Sequence, residues 1–600
     1  MNLQQTADAA IKSLQSGDWR SAVQYAEKAI QLSPNHPELF HILAMAKKSG
    51  GDAQGAIQAF EKCLNLQANH AIARGNFANL LYQLNDFHRA EHHYKQALKD
   101  KPDHRDVAKN LAILLGLKMQ RYDEALNTLS PFKDPASRLI SADILAKKGE
   151  QQAALEIVEA LLSQAPDNVD LLLRRGRLLR ELGFSKQAIE TLAPYAEQLA
   201  QHPEYMYLMA CLNYDEDRPD ETEKLLLATL DIQPHNLEAH QVLNQLYWEE
   251  QRDQDFLASY QRLRDSRQYD VAARMSELTS LFNAKQLDRA ALLIQEGRRI
   301  DGDLPQYLHA EGALASRRSD LDTAERLLRT AAQKDPNLPR WQLDLASVLI
   351  KQGNYQEALQ HLQPLLNVVP DNQELWAYIG LCWRLMDDEK YHWLYDLDHL
   401  VDYRPLPIPE NYDNGEHFFS ALRQSLKALH KSARQPLDQS VDGGTQSMGN
   451  LFAQQDSVIQ DYKRALSKRV QHYLDGLPKG DSTHPFYRRL SGQFRFSGAW
   501  SVCLSGDGFH TNHVHPEGWL SGPCYINVPS ICRPDDPEQK GWVTMGETSL
   551  DLKEREHTAL ALCPEQGMSL LFPSYMWHGT RKFGGGDEER ITAPCDVMPI

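Results

Sequence analysis

Small apolar positions recur at a fixed interval along the first 372 residues. Ala10 and Ala22 are followed 34 residues later by Ala44 and Ala56, and again by Ala78 and Ala90. Ala142 and Ala154 step in the same way to Gly176 and Ala188, and Gly312 and Ala324 to Ala346 and Ala358. Prolines close several intervals, at Pro34, Pro102, Pro166, Pro336 and Pro370. One interval, between starts near 105 and 135, is four residues short. A pair of small residues at this spacing lets two helices cross closely, and a proline after the second helix cannot continue it. Turn chemistry lies between, as in Ser33-Pro-Asn-His36 and Ala165-Pro-Asp-Asn168. The pattern predicts about eleven helix pairs, stacked into a superhelix with a concave face. Some are degenerate: Asn244 and Phe256 replace the small pair in one, and Leu278 replaces one member in the next.

The pattern then changes twice. Residues 373–402, with Trp376, Trp383 and Trp393, predict capping helices. Tyr403-Arg-Pro-Leu-Pro-Ile-Pro marks a boundary. Residues 403–480 are expected to form a linker and buttressing helices. One helix carries Phe418, Leu422 and Leu426, the other Ile459, Tyr462, Leu466, Val470 and Tyr473. The polar stretch between them, with Gly443 and Gly444, fits a linker or a lid equally well. From 481 to 600 short alternating or apolar runs separated by turns predict strands: Gln493–Phe496, Trp500–Leu504, Cys524–Val528, Ser569–Phe572 and Arg590–Ala593. Eight or so strands in this length suit a jelly roll, the double-stranded β-helix. The fold class is therefore multidomain, an all-α superhelix followed by a jelly-roll domain.

Composition narrows the function classes. The chain has 600 residues, 42% hydrophobic and 24% charged, with a formal net charge of −17. That charge argues against a nucleic-acid partner, which requires a basic surface, and favours basic partners in general. No apolar run approaches the ~20 residues of a membrane span, and no leader-like start is evident. The eight cysteines are scattered without a Cys-x-x-Cys pair, which suits a reducing cytoplasm.

The chemistry is concentrated in the last ninety or so residues. His510-Thr-Asn-His513-Val-His515-Pro-Glu-Gly-Trp-Leu-Ser-Gly is followed by Leu571-Phe-Pro-Ser-Tyr-Met-Trp-His578-Gly-Thr and then Glu589-Arg590-Ile-Thr592. Residues at i, i+2 share one face of a strand. A third ligand from a neighbouring strand completes one triangular face of a metal, leaving the opposite positions open. Arg590 offers a planar fork for a carboxylate, with Thr592 on the same face.

These segments and the loop Gln439-Ser-Val-Asp-Gly-Gly-Thr-Gln446 resemble the 2-oxoglutarate/Fe(II) oxygenases of bacteria that carry N-terminal tetratricopeptide repeats, and the 34-residue interval resembles that repeat. The resemblance implies Fe(II), 2-oxoglutarate as cosubstrate and O₂. It assigns iron to His513 and His578, and the far carboxylate of 2-oxoglutarate to Arg590, with Thr592 and Tyr525 beside it. The wider superfamily carries His-x-Asp or His-x-Glu, where this chain has His513-Val-His515. Three readings stay open. His515 completes a three-histidine face; or His515 and Glu517 form the His-x-Glu pair with His513 behind them; or the site binds metal poorly. His510 is expected behind the ligands or against substrate, and Trp519 and Trp577 as pocket walls.

The resulting expectation is an Fe(II)/2-oxoglutarate dioxygenase that hydroxylates a protein or peptide held on the concave face of the repeats, compatible with oligomerisation. Two rivals remain: a non-enzymatic repeat adaptor with a degenerate ligand-sensing β-domain, and a cupin-type metal enzyme that does not use 2-oxoglutarate.

Overall fold

The computed structural model describes residues 2–600 apart from 337, 433, 438, 585 and 587. The chain separates into two compact units, Met1–Leu182 and Gly183–Ile600. The first is built of tetratricopeptide helix pairs running from Leu3–Gln15 to Val169–Glu181. The periodic alanines Ala10, Ala22, Ala44, Ala56, Ala78 and Ala90 are wholly buried, as a close helix crossing demands. The helix caps follow the same interval. Asp18, Asp52 and Asp86 each accept the N–H three residues ahead, at 3.1, 2.8 and 3.3 Å, satisfying an otherwise orphaned donor at each second helix.

The second unit contains the later helix pairs, through Gln373–Leu385, and the β-domain. In the degenerate repeat Asn244 is fully buried and its amide donates to His240 O at 2.7 Å and to Ser259 Oγ at 3.0 Å. Phe256 stands where a small residue would allow the crossing, and the second helix begins only at Ala258.

Ten strands follow among the described residues: β1 Asp402–Pro405, β2 Val441–Gln446, β3 Phe494–Ala499, β4 Val502–His510, β5 Leu520–Asn527, β6 Val543–Met545, β7 Leu560–Leu562, β8 Met568–Pro573, β9 His578–Thr580 and β10 Arg590–Pro599. The larger antiparallel sheet has the order β1-β8-β5-β10-β4-β2, with β3 also pairing β10; the smaller has the order β7-β6-β9. This is the jelly-roll pattern of two sheets around one core.

Two strands of the larger sheet come from the stretch between 403 and 480 or its border. The proline-rich β1 is an edge strand, where a missing N–H is tolerated. The glycine stretch forms β2 on the opposite edge, paired with β4. Close approach explains its glycines. A Cβ on Gly444 would lie 2.6 Å from Cys503 O, and Gly443 has φ +72° with Gly508 Cα 2.9 Å from the same imagined atom. Helix Ser457–Gly476 packs behind the sheet: Tyr462 donates to Ala593 O at 2.7 Å, and Arg469 meets Asp402 at 2.9 Å. One continuous core joins Leu308 and Trp376 of the repeats to Phe418, Tyr462, Phe572 and Ile591.

Candidate metal and cosubstrate site

The histidines gather where the two sheets approach each other. His578 opens β9 of the smaller sheet, while His513 follows β4 of the larger. The two form an isolated antiparallel bridge, His513 N to His578 O at 2.9 Å and His578 N to His513 O at 3.1 Å. His515 is fixed by its N–H to Ser574 O at 3.0 Å. One ligand atom from each of His513, His515 and His578 lies within 4.8 Å of the other two.

The proton positions follow from the partners. His513 Nδ1 donates to Thr511 O at 2.8 Å, and His578 Nδ1 donates to Met576 O at 2.9 Å. A carbonyl only accepts, so both protons sit on Nδ1. His515 Nδ1 lies 2.9 Å from Asp596 Oδ1, and a carboxylate likewise accepts. The Nε2 atoms of His513 and His578 are thus left with lone pairs, the form in which imidazole binds a metal, and Nε2 is the His515 nitrogen that Asp596 leaves open. Burial, reinforced by the neighbouring His515, pushes His513 down to about 3, and burial with the His513 neighbour holds His578 well below the ordinary histidine range. Protons therefore compete weakly for these nitrogens near neutral pH.

Glu517 is exposed and stands outside this cluster. His510 shares Ser440 with the cluster: Ser440 Oγ lies 3.1 Å from His510 Nδ1 and 3.4 Å from His513 Nε2. Burial, His513 and then the Arg590 charge hold His510 neutral.

Arg590 is 2% exposed and sits on β10 opposite Leu504 of β4. One guanidinium nitrogen donates to Gly541 O at 2.5 Å, and the group lies 5.4 Å from the centre of the Tyr525 ring. Its Nε and the Tyr525 hydroxyl are both buried without a partner among the described residues. Thr592, also buried, is paired in register with Tyr525. A buried donor left unpaired costs ~1–3 kcal/mol, and a carboxylate arriving here would satisfy both. These donors and the three Nε2 atoms fit an iron with a dicarboxylate cosubstrate.

Residues 498–596 match the family model described as "Putative 2OG-Fe(II) oxygenase". Residues 37–70, 76–130, 145–212 and 315–380 match tetratricopeptide-repeat models. The chain thus carries tetratricopeptide repeats in its N-terminal region and, at 498–596, a domain that matches the oxygenase model. No curated protein matches it. Among solved structures it is similar to a tetratricopeptide repeat protein from Parabacteroides merdae, at 17% identity over 40% of this chain and 97% of that one, TM-score 0.33. Pseudomonas aeruginosa pilF is similar at 20% identity over 35% of this chain and 96% of its own, TM-score 0.30. Yeast Tom70 is similar at 14% identity over 60% and 91%, TM-score 0.27.

Within the oxygenase-family domain the two tryptophans differ. Trp519 is committed to the core, stacked 4.7 Å from Phe486 with its N–H on Phe486 O at 3.0 Å. Trp577 lies next to His578 with its Nε1 buried and unpartnered among the described residues. Sequence reasoning passed over Asp596, which holds His515 and accepts from Ser521 Oγ at 2.6 Å. Burial opposes its ionisation, yet His515 and Ser521 keep its carboxyl below the usual range. Its signal was the even spacing from Arg590 and Thr592 along one strand, which points all three side chains the same way. Ser440 was missed as well, because polar residues in a glycine-containing stretch look like linker.

Proposed function

We propose that this chain is an Fe(II)/2-oxoglutarate-dependent dioxygenase that hydroxylates a protein or peptide substrate recruited by its repeats. The observation that carries the reading is the convergence of one ring nitrogen from each of His513, His515 and His578, while Arg590 Nε and the Tyr525 hydroxyl lie buried without partners among the described residues of the same β-domain. His513, His515 and His578 would hold iron, and Arg590, Tyr525 and Thr592 would receive the distal carboxylate of 2-oxoglutarate. When bound, iron, cosubstrate and O₂ supply oxidative decarboxylation coupled to oxidation of a substrate C–H bond. The chain's own part is positioning and exclusion of water. Backbone carbonyls and Asp596 fix the three rings, and the buried guanidinium orients the cosubstrate by a charge-assisted pair.

The proposed division is a repeat array over 1–372, capping helices over 373–402, linker and buttressing helices over 403–480, a stretch that also supplies β2 and most of β1 to the larger sheet, and the oxygenase domain over 481–600. No described helix is long and apolar enough to cross a membrane. No disulfide joins the cysteines among the described residues, and a cytoplasmic setting is part of the proposal. The test is anaerobic titration of metal-stripped protein with Fe(II) and then 2-oxoglutarate, following the visible charge-transfer band of the chelate. The band is expected to vanish in His578→Ala and to weaken in Arg590→Ala. A folded protein that gives no band would overturn the oxygenase reading in favour of a repeat adaptor.

A further inference from the structure

The first unit, Met1–Leu182, holds a second histidine cluster. Helix Pro37–Ser49 opens one repeat and carries Glu38 and His41, one turn apart and so on one face. His70 stands at the N-cap of helix Ala71–Gln83, which opens the next repeat. His41 Nδ1 lies 3.1 Å from Glu38 Oε1, and His70 Nε2 lies 2.8 Å from Glu38 Oε2. One ligand atom from each of the three residues lies within 4.8 Å of the other two.

The repeat itself does not call for this arrangement. His36, His70 and His104 occupy one place, 34 residues apart, each just before the first helix of its repeat. One repeat before Glu38 and His41 stand Gln4 and Ala7, and one repeat after stand Ile72 and Gly75. Those joints hold without an acid and a second histidine, so Glu38 and His41 are additions at a single joint. Nor does a fixed cation account for the acid. Glu91 of the same unit meets Arg121 at 2.8 Å and Lys95 at 2.7 Å. Glu38 pairs with the two histidines and with no lysine or arginine among the described residues.

Two imidazoles and a carboxylate suit Zn²⁺, whereas Ca²⁺ and Mg²⁺ prefer oxygen alone. Zinc bonds of about 2.0–2.2 Å place tetrahedral donors about 3.3 Å apart, near the two spacings seen here. Entry is open on one side only. The His41 and His70 side chains are 12% and 11% exposed, while that of Glu38 is 49% exposed. The fold therefore holds the rings, and water can complete the coordination beside the carboxylate. Each ring is also steered from behind. Asn76 Nδ2 lies 3.0 Å from His41 Nε2, and Ala73 N donates to His70 Nδ1 at 3.3 Å. A carboxylate only accepts, so each ring points an N–H at Glu38, and a cation takes the place of those two protons. The His41 proton then sits on Nε2, where the Asn76 amide, turned over, accepts it. The His70 proton moves to Nδ1 at the expense of the long Ala73 contact.

We infer that Glu38, His41 and His70 form a zinc site that clips two successive repeats together. The site is separate from the His513, His515 and His578 cluster and does not depend on the dioxygenase reading. An ion bound here, and absent from the unfolded chain, stabilises the first unit by mass action.

The experiment is calorimetric titration of the metal-stripped full chain with Zn²⁺, in a His513→Ala, His578→Ala background that removes the other cluster. One tight equivalent is expected, together with a higher thermal midpoint when zinc is added. Adding His41→Ala and His70→Ala should abolish both. Adding His36→Ala and His104→Ala, which removes as many histidines from equivalent places, should leave both intact. Asn76→Ala should weaken zinc about tenfold by freeing the His41 ring. Glu38→Gln keeps the shape of an exposed side chain, so it should lose zinc affinity while the metal-free melt stays in place. This variant decides the matter if the double histidine substitution disturbs folding. The inference is overturned if the background chain takes up no tight zinc, or if the equivalent survives either Glu38→Gln or the loss of His41 and His70.

Discussion

Asp596 lies 2.9 Å from His515 Nδ1, behind the ring and opposite the nitrogen that faces the cluster. Where the wider superfamily carries a carboxylate two residues after the first histidine, this chain carries His515, and the carboxylate of Asp596 stands behind that ring. It orients the ring and accepts the Nδ1 proton. Asp596→Asn separates orientation from charge, because the amide oxygen can still accept the Nδ1–H while the charge is lost. The expected outcome is Fe(II) affinity about 10–100-fold weaker with a thermal midpoint close to that of the parent, read by anaerobic iron titration and a melt. Unchanged affinity would mean that His515 does not serve the metal.

Tyr525 makes an opposite kind of prediction. Its hydroxyl is buried without a full hydrogen bond among the described residues, beside the Arg590 guanidinium, so it adds little to the ligand-free fold. Tyr525→Phe should leave the melt unchanged or raise it. The same change should weaken 2-oxoglutarate binding by about 1 kcal/mol, roughly fivefold, with iron affinity intact. Calorimetric titration with 2-oxoglutarate in the presence of iron measures this directly. A destabilised variant with normal cosubstrate binding would show that the hydroxyl serves the fold.

How much of this was legible in the sequence depends on whether the contact is local. The helix crossings were, because Ala10, Ala22 and their successors repeat at the period of the structure they build. The histidines were, because His513 and His515 share a segment and His578 sits in a compact aromatic stretch. Asp596 was not, since its partner lies 81 residues away in the sequence. The β2 edge was not either. Gly443 and Gly444 carry turn composition, and only the approach of β4 explains them. Phe256 was noticed as a break in the repeat, but the late start of its helix at Ala258 follows from packing that no spacing rule contains.

His430 gives the pH prediction. It follows helix Gly415–Lys427 and bridges two strand regions, Nδ1 to Thr445 Oγ at 2.8 Å and Nε2 to Ser501 Oγ at 2.9 Å. Burial lowers its pKa to about 4, against a modest upward pull from Glu589. The unfolded chain takes up its proton near the ordinary value of 6.5, so between these values the unfolded state holds more protons. Stability then rises with pH across that window. The contribution is complete above about 6.5 and is lost as pH falls toward 4. Other buried histidines, His513 and His578 among them, slope the same way, so the parent melt alone cannot isolate this group. In His430→Gln the amide can still bond both hydroxyls but does not titrate. The thermal midpoint of the parent should therefore fall faster than that of the variant between pH 6.5 and 4, and the two curves should run parallel above that range. Parallel curves throughout would show that His430 is as free to protonate in the folded chain as in the unfolded one.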